Sequence, residues 1–323
     1  MTINLHTNEN PYQPDEKIRE TAIKGLENIN RYSELKYLNE LKELLGKYNN
    51  NFPSDQIVLS HGSDIILREI INIFSKDRKI MIMNPSYFPV SQYAINQANK
   101  LTRIQLSPPN FNFDSKLLLS ELTKPTLLLL DNPNNPTGKI ILKNDLVKKI
   151  LQNKNTLLVI DEAYYEFSGQ TFASLIKNYP NLAITRTMDK AFSLAGLRLG
   201  YLLMGDYFKR YFSDFSKTLA TPTLFAAIEA LKNPEYLKIN VNKILREKER
   251  IEKEFSKIGL QVFSGNTNFI LIKTEIIDFA EKLKEQGILI KDLSDEWLNK
   301  YYRISLGLPE ENDVLLSIIK KNI

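Results

Sequence analysis

Thr156-Leu157-Leu158-Val159-Ile160-Asp161-Glu162-Ala163-Tyr164 decides the fold: a run of strand-forming residues, then two acids and a tyrosine. A short apolar run closed abruptly by polar residues is what a strand buried on both faces requires. The same form recurs on either side. The run 126–130 leads into Asp131-Asn132-Pro133-Asn134-Asn135-Pro136-Thr137-Gly138, and the run 182–186 leads into Thr187-Met188-Asp189-Lys190. Three polar segments thus follow predicted strands, and a common sheet would bring all three to one edge. In such sheets ligands collect at the carboxyl ends of the strands.

Further strand-like runs lie at 56–59, 79–83, 101–106 and 199–204, with helical periodicity between several of them, as at 64–74 and 143–151. This alternation predicts an α/β fold with a mostly parallel sheet covered by helices on both faces. After Thr221-Pro222-Thr223 the pattern changes. Residues 224–258 read as long helix with a break at Asn233-Pro234, because proline ends a helical run. Strands are predicted at 268–273, 288–290 and 302–306, with helices at 276–286 and 312–321. These form a smaller α+β domain, which an N-terminal helix over 15–29 is expected to join. The predicted division is a large domain over 30–235 and a small one over 1–29 and 236–323. Trp297 is expected to pack in the small lobe, and His6 and His61 read as structural.

With 323 residues, 43% of them hydrophobic, the chain can bury one large core and a smaller one. No apolar stretch approaches the ~20 residues that span a bilayer, and the first residues lack the basic and apolar regions of a signal peptide. The absence of cysteine excludes disulfides and thiolate metal sites and fits a cytoplasmic protein. The net charge of +5 is scattered, which gives only a mild bias toward anionic small molecules. No nucleic-acid motif accompanies it.

The three strand-end segments, with Gly62-Ser63-Asp64 and Arg198, can supply what a pyridoxal 5′-phosphate site needs. The needs are a lysine amine for a Schiff base and a carboxylate to keep the ring nitrogen protonated. Donors to the phenolic oxygen, a cationic phosphate site near free backbone N–H groups and an aromatic plate complete the set. Lys190, Asp161, Asn135 with Tyr164, Arg198 and Gly62-Ser63-Asp64 at a predicted helix start are the candidates.

The ordered motifs resemble the fold-type-I aminotransferases, and within them the histidinol-phosphate aminotransferase-like proteins. They are Asn8-Glu9-Asn10-Pro11-Tyr12, Asn30-Arg31-Tyr32, Gly62-Ser63-Asp64, Asn84-Pro85-Ser86-Tyr87 and Asn134-Asn135-Pro136-Thr137-Gly138. Asp161-Glu162-Ala163-Tyr164, the stretch from Lys190 to Arg198, Thr267-Asn268-Phe269 and Arg303-Ile304-Ser305-Leu306-Gly307 extend the likeness over nearly the whole chain. The resemblance implies that Lys190 binds the cofactor covalently and shuttles a proton. It pairs Asp161 with the ring nitrogen, points Asn135 and Tyr164 at the phenolic oxygen and stacks Tyr87 on the ring. It assigns the phosphate to Ser63, the Asp64 backbone, Thr187 and Arg198, with Tyr32 arriving from a partner subunit, so it implies a homodimer. It assigns the substrate's anionic group to Arg303, with Asn10 also at the substrate, and implies a place in amino-acid biosynthesis.

Two departures stand out. Asp189 occupies the position before the lysine, where relatives usually carry a small hydroxyl residue that touches the phosphate. A carboxylate ~4 Å from a phosphate charge costs on the order of 4 kcal/mol at an effective dielectric near 20, so Asp189 either turns away, stays protonated or weakens cofactor binding, and the first is expected. The motif at Asn8 also comes early, where relatives usually carry a longer preceding arm, and Tyr12-Gln13-Pro14 stands where glycine often follows Asn-Pro. Three functions compete. A transaminase is expected first, acting on a small amine or amino acid and a 2-oxo acid. A phospho-amino-acid decarboxylase on the same scaffold is second. A non-catalytic relative, motivated by Asp189, is third.

Overall fold

A computed structural model describes residues 2–212, 218–294 and 298–322, so Trp297 lies outside the described residues. The strands are β1 (Ile3–Leu5), β2 (Ile57–Ser60), β3 (Lys79–Asn84), β4 (Leu101–Gln105), β5 (Thr126–Asp131) and β6 (Thr156–Asp161). They continue with β7 (Leu182–Thr187), β8 (Gly200–Met204), β9 (Gln261–Phe263), β10 (Phe269–Lys273), β11 (Ile288–Asp292) and β12 (Tyr301–Ser305). The helices are α1 (Glu16–Lys24), α2 (Leu35–Tyr48), α3 (Ser63–Phe74), α4 (Phe88–Gln97), α5 (Ser115–Ser120) and α6 (Asn144–Gln152). After them come α7 (Tyr165–Ser168), α8 (Asp206–Phe212), α9 (Thr221–Lys232), α10 (Glu235–Lys257), α11 (Phe279–Glu285) and α12 (Pro309–Asn322).

The large sheet has the order β2-β8-β7-β6-β5-β3-β4. Its strands are parallel except β8, which runs against both of its neighbours. Successive side chains of a strand alternate between the two faces, and both faces here are buried. Leu127, Leu129, Leu157 and Val159 pack with Ile66, Ile70 and Phe74 of α3. Leu128, Leu130, Leu158 and Ile160 pack with Leu41 and Leu45 of α2 and Val147 and Ile150 of α6. Leu38, Leu41 and Leu45 recur at helical spacing, although the sequence reading assigned no element there.

The small sheet has the order β1-β11-β12-β10-β9. Here the N-terminal expectation needs correction. It is β1 that joins this sheet, parallel to β11. Helix α1 lies instead along α9: Lys17 Nζ is 2.7 Å from Glu229, and a Cβ on Gly25 would stand 2.7 Å from the Pro222 backbone. Helix α1 ends at Lys24, earlier than the periodicity predicts, and Leu26 and Ile29 beyond it are exposed. The break between α9 and α10 falls at Asn233-Pro234 as expected. The structure adds β9, a three-residue strand paired antiparallel with β10, which is too short to show a period.

Candidate active site

A cavity of about 300 Å³ opens at the carboxyl edge of the large sheet, against the small one. Ser63, Asp64, Tyr87, Asn135, Asp161, Tyr164, Thr187, Lys190, Arg198 and Arg303 all line it. The parallel topology explains the convergence. β2, β5, β6 and β7 deliver the residues that follow their last positions, and β8, running backwards, begins at the same edge after Arg198.

The strand-end acids have different fates. Asp131 is occupied by its own loop: one carboxylate oxygen accepts from Ser86 Oγ at 2.9 Å and Asn134 Nδ2 at 3.0 Å, the other from Asn135 N–H at 2.8 Å. Asp161 accepts from Thr185 Oγ1 at 2.8 Å, and no cationic side chain among the described residues forms an ion pair with it. Burial, reinforced by the charges of Asp131 and Glu162, pushes its pKa up to about 7. Such an acid is stabilised in its charged form when a cation is placed against it.

Lys190 Nζ donates to the Thr7 carbonyl at 3.0 Å. Burial first, then the Arg303 charge, lowers its pKa to about 8. The shift enlarges the neutral, nucleophilic fraction of the amine near neutral pH. Tyr164 accepts from Asn8 Nδ2 at 2.8 Å, and its ring meets Phe269 edge-on at 5.3 Å. Burial raises the phenol pKa of Tyr164, as it does that of Tyr87 at the start of α4, so both keep their protons to donate. Arg303, on β12, crosses between the sheets, donating to Asn135 Oδ1 and to the His6 carbonyl, each at 2.6 Å.

The other end of the cavity is built around the N-terminus of α3, whose first N–H groups have no helical acceptor. Gly62 caps it at φ 96°, where a Cβ would stand 2.4 Å from Arg198 Nη2 and 2.6 Å from Asp64 Oδ1. Only glycine leaves that cradle open. Arg198 Nη2 donates to Asp64 Oδ1 at 2.9 Å, and Arg198 Nη1 is paired with Asp189 Oδ2. The expectation that Asp189 turns away is therefore corrected: it lines the cavity, 4% exposed, held by the arginine and by Leu199 N–H at 3.2 Å. The Thr187 hydroxyl lies between Asp189 N–H and the Leu199 carbonyl, 3.1 Å from each.

Two expected residues are not brought in. Asn10 does not line the cavity. Its Nδ2 donates to the Ala191 carbonyl at 3.0 Å and its Oδ1 accepts from Tyr12 N–H, closing a turn. Asn8, with φ 55°, takes the place beside Tyr164 instead. Tyr32 is 88% exposed and outside the cavity of its own chain. Lys291, Thr7 and His6 line the site without having been singled out, and His6, read as structural, has its imidazole pKa lowered by burial and Arg303. A signal for Lys291 was present: it directly follows the predicted strand 288–290, as the other site residues follow theirs.

The donor set fits pyridoxal 5′-phosphate. The half-buried Asp161 without an ion pair, the amine of lowered pKa and the glycine cradle beside an arginine are three separate features that its ring nitrogen, aldehyde and phosphate would engage.

Comparisons with known proteins agree. The profile of "Aminotransferase class I and II" matches residues 1–319. A histidinol-phosphate aminotransferase of Sulfurisphaera tokodaii is 37% identical over 326 residues, covering 98% of this chain and 89% of its own. The crystal structure of the histidinol-phosphate aminotransferase from Clostridium acetobutylicum superposes with a TM-score of 0.89 at 26% identity, covering 99% of this chain and 98% of that one. The Sinorhizobium meliloti histidinol-phosphate aminotransferase, solved in complex with pyridoxal-5′-phosphate, shares the fold with a TM-score of 0.88 at 23% identity over 100% and 92% of the two chains. With its matching profile, its similarity over nearly full length and the site that its own strands assemble, this chain belongs to the class I and II aminotransferases.

Proposed function

We propose that this protein moves an amino group between a small phosphate-bearing amine of the histidinol-phosphate kind and a 2-oxo acid, with pyridoxal 5′-phosphate as cofactor. Aminotransferase activity comes with the family; the substrate and the residue roles are the further step. The observation that carries the substrate class is a second set of cations. Arg303 and Lys291 of the small sheet line the same cavity as Lys190, while Arg198 serves the α3 end. Two anion sites suit a phosphorylated cofactor and an anionic substrate held together.

When bound, the cofactor supplies an aldehyde and an electron-accepting ring. Lys190 Nζ would hold it covalently and would carry a proton for the reaction. The Asp161 carboxylate would pair with the ring nitrogen and keep it protonated. Asn135 and Tyr164 would hold the phenolic oxygen, and Tyr87 would cover the ring. Ser63, the Asp64 N–H, Thr187 and Arg198 would hold the phosphate. Arg303 grips the substrate's anion with Lys291 beside it, and Asn8 orients the Tyr164 hydroxyl.

We further propose a homodimer in the cytoplasm. Ile29 and Tyr32, 79% and 88% exposed, and the exposed Ile23 and Leu35 near them in the chain are apolar side chains that a second copy would cover. This would bring Tyr32 to the partner's phosphate site. Among the described residues no helix is long and apolar enough to cross a membrane. We propose the division into a large domain over 30–235 and a small one over 1–29 and 236–323 with one change, that α1 belongs with the large one against α9.

The test is a donor series with 2-oxoglutarate as acceptor. Histidinol phosphate should exceed histidinol in kcat/KM by roughly 10- to 100-fold, since charge-assisted hydrogen bonds are worth about 1.5–3 kcal/mol. Equal rates would refute the phosphate-bearing substrate class. Release of CO₂ from a phospho-amino acid without amino transfer would support the decarboxylase instead.

A further inference from the structure

The phosphate end of the cavity carries an unusual charge count. Arg198 contributes one positive charge, and Asp64 and Asp189, both bonded to it, contribute two negative ones. The α3 N-terminus adds only about half a positive charge. A phosphate dianion entering here meets a site that is already net negative.

Asp189 has little freedom to withdraw. Its side chain is fixed by the Leu199 N–H and the Arg198 guanidinium, and its own N–H by the Thr187 hydroxyl. The residue is 4% exposed. Around it stand Arg198, Asp64 from α3, Lys190 next in the chain and Tyr87 from α4. Asp131 and Asp161 end the neighbouring strands, and His6, Lys291 and Arg303 face from the small-sheet side. The nearest of these cations, Arg198, is already shared between two carboxylates.

We infer that Asp189 makes cofactor binding proton-linked: one solvent proton enters with the phosphate and is shared between Asp189 and a phosphate oxygen, so affinity falls as pH rises. No bond other than this hydrogen bond forms, and the proton returns to solvent when the phosphate leaves. The second ionisation of a phosphate monoester lies near pH 6, so above that pH the proton must be drawn from solution. The inference rests on the pyridoxal-phosphate reading.

The experiment is calorimetric titration with pyridoxamine phosphate, which has no aldehyde and so reports the phosphate without the Lys190 linkage. Wild type, Asp189→Ser and Asp189→Asn are compared between about pH 6 and 8.5 in buffers of different ionisation enthalpy. Both variants should bind tighter than wild type by about 100-fold or more at the high end. The gap should close toward pH 6, at roughly tenfold per pH unit for one linked proton. Wild type should take up about one proton more than either variant, and pyridoxamine lacking the phosphate should show no such difference. The asparagine variant keeps the shape and the Leu199 bond, so it carries the test if serine disturbs the loop. Parallel affinity curves and equal proton counts would overturn the inference while leaving the cofactor reading intact. Weaker binding by both variants at every pH would also overturn it, because Asp189 would then serve to position Arg198. Failure of all three proteins to bind would overturn the cofactor reading and the inference together.

Discussion

Asp161 and Glu162 are consecutive carboxylates at the end of β6, and they meet opposite environments. Asp161 faces the cavity, bonded to Thr185 of β7. Glu162 points to the other side and accepts from Arg186 Nη2 at 2.7 Å and Nε at 3.0 Å, from Thr171 Oγ1 at 2.8 Å and from Phe172 N–H. The alternation of side chains along the β6–β7 pair produces this split. Arg186, 2% exposed, is itself closed off by Asn49 and by the Tyr165 ring, 3.6 Å from its guanidinium carbon. On one side a buried acid has its cation built in; on the other it must receive one. The contrast separates an acid that holds the scaffold from one that we propose receives the cofactor's ring nitrogen.

Glu162→Gln should produce the largest effect on the scaffold. It leaves Arg186 buried without its counter-ion, a change worth about 3–5 kcal/mol. Thermal or urea unfolding should show that loss, while the folded fraction binds pyridoxamine phosphate as wild type does. Unchanged stability, or lost binding in the folded fraction, would break the contrast.

Asp161→Asn should do the reverse, lowering kcat/KM by roughly 100-fold through loss of a charge-assisted contact of about 2–3 kcal/mol. Its effect on the cofactor-free protein has a definite sign. The folded pKa of Asp161, about 7, is raised above the unfolded value. The folded state therefore binds the extra proton between the two, and this contribution to stability is full at low pH and lost as pH rises toward and through 7. Asp131 and Glu166, raised to about 6 and about 7, add slopes of the same sign. The wild type should thus lose stability between about pH 4 and 7 more steeply than Asp161→Asn, by a few kcal/mol at most. Identical pH profiles would show that Asp161 is not the strained acid of the pair.

Much of this was legible in the chain. The large sheet is built from runs such as 126–130 and 156–160, buried on both faces, and their apolar continuity survives in any context. Asp161 and Thr187 were legible because each stands at the end of such a run, with Tyr164 and Lys190 three residues further on. What escaped depends on pairing across the chain. Ile3-Asn4-Leu5 becomes a strand only because β11, nearly the whole chain away, offers it an edge. Helix α1 looks equally able to cover either lobe, and the fit of Gly25 against Pro222 decides. Asn8 and Asn10 are alike in sequence, and the positive φ at Asn8 selects the one that reaches Tyr164. Asp189 was noticed as a misfit, but its partner was not, because Arg198 also pairs with Asp64 and the three meet only at the α3 terminus.

The central claim is that Lys190 and Asp161 form a pyridoxal-phosphate site working as a transaminase. The most direct measurement is the visible absorbance of the protein with added pyridoxal phosphate, before and after an amino donor, in wild type and in Lys190→Ala. The account predicts a visible band in wild type that the donor bleaches to the pyridoxamine form, and no such band in the variant. An identical spectrum in both proteins, matching free pyridoxal phosphate and insensitive to every donor, would contradict it.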